Sequence, residues 1–160
     1  MVDATSIIDY TFTDFRDGIQ NIAKQIKESG FAPDYLVGIV RGGSVPAVYL
    51  SHKLKIPVVM VAWNTRDNTE FGTDSVTWIP EDLLAGKRII IVDDIVDGGQ
   101  TIKELLEDWQ KSVLAPVPHE NVRIAAMWYN TAQDVAVDFY HKTIDRDSDS
   151  RWIVFDWEAV

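Results

Sequence analysis

Arg88-Ile-Ile-Ile-Val-Asp-Asp-Ile-Val-Asp-Gly-Gly-Gln-Thr101 changes character twice within fourteen residues. Ile89 to Val92 form an apolar, β-branched run, which suits a strand buried on both faces of a parallel sheet. Asp93 and Asp94 arrive where that strand should end, and Asp97 follows two further apolar residues. After Gly98 and Gly99, the residues Ile102, Leu105, Leu106 and Trp109 recur at the i, i+3, i+4, i+7 spacing of an amphipathic helix. The order is strand, acidic pair, glycine turn, helix N-terminus. A helix N-terminus offers unpaired N–H groups to a phosphate, and glycines let the backbone approach it closely. Carboxylates beside a phosphate make sense when a cation or sugar hydroxyls lie between them. The stretch therefore reads as a site for a phosphorylated sugar with Mg²⁺, at the C-terminal edge of a parallel sheet.

The rest of the chain fits that frame. At 160 residues it is long enough for one domain with a real core, and one domain over 1–160 is expected. Hydrophobic residues make up 46% and charged residues 25%, an ordinary globular balance. The net charge of −10 argues against a nucleic-acid partner. With no cysteine there is no disulfide, thiolate metal site or Cys nucleophile. No signal peptide and no apolar run of membrane-spanning length is visible, so a cytoplasmic protein without a membrane partner is expected.

Taken in order, Met1 to Phe12 read as an irregular or short-strand lead-in, and Thr13-Asp14 as the cap of a helix. That helix carries Phe15, Ile19, Ile22 and Ile26 on one stripe and ends at Gly30. Tyr35 to Val40 is a strand. Arg41-Gly42-Gly43 follows at once, then a helix over Ser44 to Leu54 with Val48, Leu50 and Leu54 in the core. Ile56 to Ala62 is the next strand. The stretch from Asn64 to Trp78 is polar and aperiodic, and a loop this long is usually functional or disordered; Val76 to Ile79 would belong to a hairpin within it. Pro80 to Gly86 leads into the central strand, the helix after it ends near Lys111, and strands are expected over Val122 to Trp128 and Asp134 to Tyr140. His141 to Arg151 is charged and reads as exposed. Alternating strands and helices give an α/β, doubly wound, mainly parallel five-stranded sheet with helices on both faces.

The central stretch resembles the diphosphate-sugar signature of type I phosphoribosyltransferases: a hydrophobic strand, Asp-Asp, two apolar residues, then Asp-Thr-Gly-Gly-Thr. Gly98 stands where that signature has Thr and Gln100 where it has its second Gly, while Thr101 keeps the final Thr. Arg41-Gly42-Gly43 with the following Val-Pro, and the tail Trp152-Ile-Val-Phe-Asp-Trp157, are similar to the xanthine-guanine members of the family. The resemblance implies the phosphoribosyltransferase fold, with a flexible active-site loop over residues 64–79 and a base-binding hood over residues 129–160. It implies 5-phosphoribosyl-1-diphosphate and a purine base as substrates, Mg²⁺ as cofactor, and a homodimer or homotetramer.

Residue by residue, the resemblance implies that the N–H groups of Gly42 and Gly43 hold the diphosphate beside Arg41, with a cis Arg41–Gly42 peptide. Asp93 and Asp94 would hold the ribose hydroxyls and Mg²⁺, and Gly98, Gly99, Gln100 and Thr101 would cradle the 5'-phosphate. Asp97 would be the general base. Trp152 would stack on the base, with the backbone of Ile153 reading its edge. Asn130 stands where the family has a purine-binding Lys. Arg66 is either a diphosphate partner or solvated, and the two tryptophans of the tail are otherwise core or interface plugs. A non-catalytic relative that binds the sugar diphosphate or a nucleotide is the alternative. A P-loop and a dinucleotide-binding glycine motif are both absent from the sequence.

Overall fold

The protein is described here by a computed structural model covering residues 6–63 and 78–159. The expected active-site loop and Arg66 fall almost wholly outside the described residues.

The elements run β1 (Ile7–Tyr10), α1 (Phe12–Ser29), β2 (Tyr35–Val40), α2 (Ser44–Leu54), β3 (Val58–Ala62), α3 (Trp78–Leu84), β4 (Ile89–Val96), α4 (Gln100–Val113), β5 (Val122–Asn130), β6 (Phe139–Ile144) and β7 (Trp152–Phe155), with a 3₁₀ turn over His119–Asn121. Five strands form one parallel sheet in the order β3-β2-β4-β5-β6, and β1 pairs with β7 in a separate parallel ribbon. The doubly wound α/β expectation holds.

The sheet buries both faces because its strands are apolar on both. Leu36, Ile90, Val92 and Ala125 join Phe15, Ile19, Ile22 and Leu50 from α1 and α2 in one core. Val37, Ile89, Ile91 and Ala126 join Leu83, Ile102, Leu105 and Trp109 from α3 and α4 in the other. The helix α1 is capped by Thr11, about one turn before its first stripe residue. The Thr11 side chain accepts from the Asp14 N–H while the Asp14 carboxylate accepts from the Thr11 N–H, a complete capping box. The cap is therefore Thr11, not Thr13; Asp14 is its reciprocal partner. Gly30 closes the helix at φ 73°.

Several boundaries differ from expectation. Strand β3 starts at Val58, and α4 runs to Val113. Val48 is 38% exposed rather than core. Ile79 opens no hairpin: it is buried in α3, whose first turn accommodates Pro80. The last strand of the main sheet is residues 139–144, not 134–140. Val135 and Val137 are buried against the α4 side of the sheet without joining a ladder, and their alternation mimics a strand. Within the stretch expected to be exposed, Ile144 is 5% exposed and pairs with Asn130. The expected hood over residues 129–160 is therefore divided: β6 is an edge strand of the main sheet, and β7 leaves it to pair with β1. Among the described residues no helix is long and apolar enough to cross a membrane.

Candidate active site

The C-terminal ends of β2 and β4, the N-terminus of α4, and the segment around β7 line one cavity of about 1000 Å³. Arg41, Gly42, Asp93, Asp94, Asp97, Gly98, Gly99, Gln100, Thr101, Trp152 and Ile153, separated by up to 112 positions in the sequence, all lie on its wall. A strand-end crevice in a parallel sheet is where such folds bind ligands.

Strand β4 does not stop at the acidic pair. It continues to Val96, with Asp93 opposite Ala126 and Val96 opposite Tyr129. Asp93 and Asp94 are thus held by a ladder rather than by a loop. Asp94 is 9% exposed, and its Oδ1 accepts from the Ile95 N–H at 2.7 Å. Oδ1 of Asp93 accepts from the Asp94 N–H at 2.9 Å. Burial, and then the like charge of Asp94, push Asp93 well above the ordinary carboxylate range. Burial also raises Asp94, where the Ile95 N–H opposes it and the charge of Glu158 adds to it. Among the described residues no Lys or Arg forms an ion pair with either acid.

That uncompensated charge suits a divalent cation. No cluster of three ligating side chains exists among the described residues, but Mg²⁺ is ordinarily held by one or two carboxylates together with substrate phosphates and water. The donor set therefore fits Mg²⁺ arriving with a diphosphate. Asp93 and Asp94 would hold it.

The loop after β2 differs from expectation in two ways. The cis peptide is Val40–Arg41, not Arg41–Gly42. The Gly43 N–H is not available to a diphosphate, because it donates to the Ile39 carbonyl at 2.8 Å. Gly43 is required for space: a β-carbon there would lie 2.4 Å from the Val92 oxygen and 2.7 Å from that of Ile39. Gly42, by contrast, lines the cavity, and Arg41 beside it is exposed.

Helix α4 points its N-terminus at the cavity. Gly99 caps it at φ 71°, and among the described residues it has no side-chain cap hydrogen bond. Gly99 is dictated both by φ and by Val135, whose Cγ2 would lie 2.0 Å from a β-carbon. At Gly98, nothing among the described residues lies within 4 Å of that position. The Gln100 amide donates to Glu104 at 2.6 Å. Its side chain is tied along the helix and leaves the turn open.

Asp97 is joined to Asn130, which the sequence singles out, and to Arg146, which it does not. Its Oδ1 accepts from Asn130 Nδ2 at 3.0 Å and from Arg146 Nε at 3.3 Å. Asn130 is 1% exposed and lies beneath the cavity rather than on its wall. Its Oδ1 accepts from the backbone N–H groups of Ala132 at 3.0 Å and Arg146 at 3.2 Å. Asn130 thus links Asp97 to the backbone of Arg146. Arg146 itself lines the cavity, as do Glu158, Trp63 and Trp157. No spacing in the sequence marks Arg146; β6 pairing beside β5 brings it to Asn130.

The two tail tryptophans have different roles. Trp157 stacks on Phe155 at 4.8 Å and meets Phe15 edge-on at 5.0 Å, so it is a packing residue as well as part of the wall. Trp152 is 55% exposed at the cavity. Ile153 is buried, and its backbone is fixed opposite Ile8.

The phosphoribosyl transferase domain family matches residues 11–159. The chain belongs to the phosphoribosyltransferase family, enzymes of the glycosyltransferase type. A xanthine-guanine phosphoribosyltransferase of Cereibacter sphaeroides is 33% identical over 128 residues, which cover 78% of this chain and 69% of that protein. An orotate phosphoribosyltransferase of Brucella anthropi is 33% identical over 87 residues, 54% of this chain but 41% of that protein. Among solved structures, a purine phosphoribosyltransferase from Pyrococcus horikoshii superposes with a TM-score of 0.68 at 26% identity, covering 96% of this chain and 94% of that one.

Proposed function

We propose that this phosphoribosyltransferase moves the 5-phosphoribosyl group from 5-phosphoribosyl-1-diphosphate to a 6-oxopurine (guanine, xanthine or hypoxanthine), giving the nucleoside monophosphate and diphosphate. The observation that carries this reading is the shared cavity: the N-terminus of α4, the carboxylates of Asp93 and Asp94, unpaired among the described residues, and the exposed ring of Trp152 all line it.

The helix α4 N-terminus, with the Thr101 hydroxyl, receives the 5'-phosphate. Arg41 and the Gly42 N–H receive the diphosphate. A purine nitrogen attacks the anomeric carbon as the bond from that carbon to the diphosphate oxygen breaks. The ribose becomes cationic in between, and the charges of Asp93 and Asp94 favour it. Mg²⁺, when bound with the diphosphate, would offset the charge building on the leaving group. Asp97 accepts the proton that the purine loses, from N7, and passes it to solvent. Trp152 offers the base a stacking face, and such faces are worth roughly 1–3 kcal/mol per base.

The test is diphosphate release. The protein is mixed with Mg²⁺ and 5-phosphoribosyl-1-diphosphate, and each base is added in turn. Release with a 6-oxopurine that is lost in Asp97→Asn is expected. Tight binding of the sugar diphosphate with no release for any base would instead support the non-catalytic alternative.

A further inference from the structure

Arg146 is the one cavity-lining cation, among the described residues, on the β5–β6 side of the acidic pair; Arg41 lies on the β2 side. Its guanidinium is held from two directions. Nε donates to Asp97 Oδ1 at 3.3 Å, and Nη1 donates to the Arg151 carbonyl. Its backbone N–H is fixed by Asn130 at 3.2 Å. Its side chain is only 18% exposed. Nη2 has no hydrogen-bond partner among the described residues. The result is a pre-set charge with unused N–H groups, lining the same cavity as Asp97 and Trp152.

We propose that Arg146 determines which base is accepted: its free guanidinium N–H groups donate to the exocyclic oxo group of a purine stacked on Trp152. Asn130 is the positioning residue that sets both Arg146 and Asp97. This rests on the purine reading above. Arginine carries donors only. It pairs with a carbonyl oxygen and gives nothing to an exocyclic amino group, whose hydrogens face its own. Rejection by leaving buried donors facing donors is the stronger form of discrimination. Because Asp97 already accepts from Arg146, the charge that reads the base and the carboxylate that takes its proton are locked in register by one amide, that of Asn130.

Kinetics with hypoxanthine and adenine on the full chain test this, together with titration of each base followed by tryptophan fluorescence. In Arg146→Ala the KM and the Kd for hypoxanthine should rise about 10- to 100-fold, the loss of a charge-assisted hydrogen bond. The KM for the sugar diphosphate should not move, and adenine should bind no worse than before. Arg146→Lys, which keeps a donor, should recover part of the loss and controls for folding. Asn130→Ala should raise the hypoxanthine KM and also lower kcat, because Asp97 is released with it. Equal losses for both bases, a change confined to the KM of the sugar diphosphate, or a wild-type preference for adenine or orotate would overturn the proposal. If wild type binds hypoxanthine but releases no diphosphate, the transferase reading fails. The fluorescence titration then still decides on Arg146: weakened hypoxanthine binding in the alanine variant upholds its role and unchanged binding refutes it.

Discussion

A β-carbon placed on Gly42 would stand 1.9 Å from Oδ2 of Asp94. The loop after β2 and the acidic end of β4 are therefore in contact, backbone against carboxylate, and the two cannot move independently. Gly42→Ala should push the Asp94 carboxylate aside. We expect a loss of about 1–3 kcal/mol in stability and a raised KM for the sugar diphosphate. Urea denaturation and steady-state kinetics check both, and unaltered stability would show that Asp94 has room to move.

Gly98 and Gly99 should behave oppositely. Among the described residues nothing occupies the space where a side chain on Gly98 would go, and Gly99 has φ 71° and Val135 in the way. Gly98→Thr should leave thermal stability unchanged and add a hydroxyl beside the phosphate-binding turn. A hydrogen bond to a charged group, about 1.5–3 kcal/mol, corresponds to a KM for the sugar diphosphate lowered about tenfold or more. Gly99→Thr should destabilise by at least about 1–3 kcal/mol. Thermal melts of the two variants side by side separate them.

The acidic pair trades stability for function. Burial and mutual repulsion disfavour two charges there, so Asp93→Asn should raise the melting temperature of the unliganded protein, by about 2–4 °C for each kcal/mol relieved. The same change should abolish the extra stabilisation that Mg²⁺ and the sugar diphosphate confer together on the wild type. Calorimetry in the four combinations of protein and ligand shows whether both halves hold.

His141 sets a pH dependence. It lies beside Tyr10, its buried Nδ1 has no hydrogen-bond partner among the described residues, and its pKa is lowered chiefly by burial, then by Lys142, with Asp14 and Asp17 opposing. A histidine lowered in the fold binds its proton more readily once unfolded. Stability should therefore be full above the unfolded value, about 6.5, and decline as the pH falls through it toward the folded value. Urea denaturation at pH 7.5 and 5.5 should show the decline, and His141→Gln should flatten it.

The parts of this fold legible in the sequence are those in which period and chemistry coincide. The run Ile89 to Val92 declares a strand buried on both faces, and the stripe Ile102, Leu105, Trp109 declares α4. Where the two separate, the reading slips. Val135 and Val137 alternate like a strand but pack against the α4 side without a ladder, so the pattern points to a strand several residues before β6 begins. The N–H of Gly43 is used by its own turn, which no composition reveals. The central acids, Asp97 and Trp152 stand out in the sequence because their neighbours form motifs, and all of them line the cavity. Arg146 lines it too but does not stand out, because it lies in a charged stretch and is brought there by the pairing of β6 with β5.

The most direct measurement is a competition. Guanine, hypoxanthine, xanthine, adenine, orotate and uracil are supplied together at equal concentration with Mg²⁺ and limiting 5-phosphoribosyl-1-diphosphate, and the nucleoside monophosphates formed are identified by mass spectrometry. The account predicts the products of the 6-oxopurines and little else. Orotidine or adenosine monophosphate as the main product would contradict it.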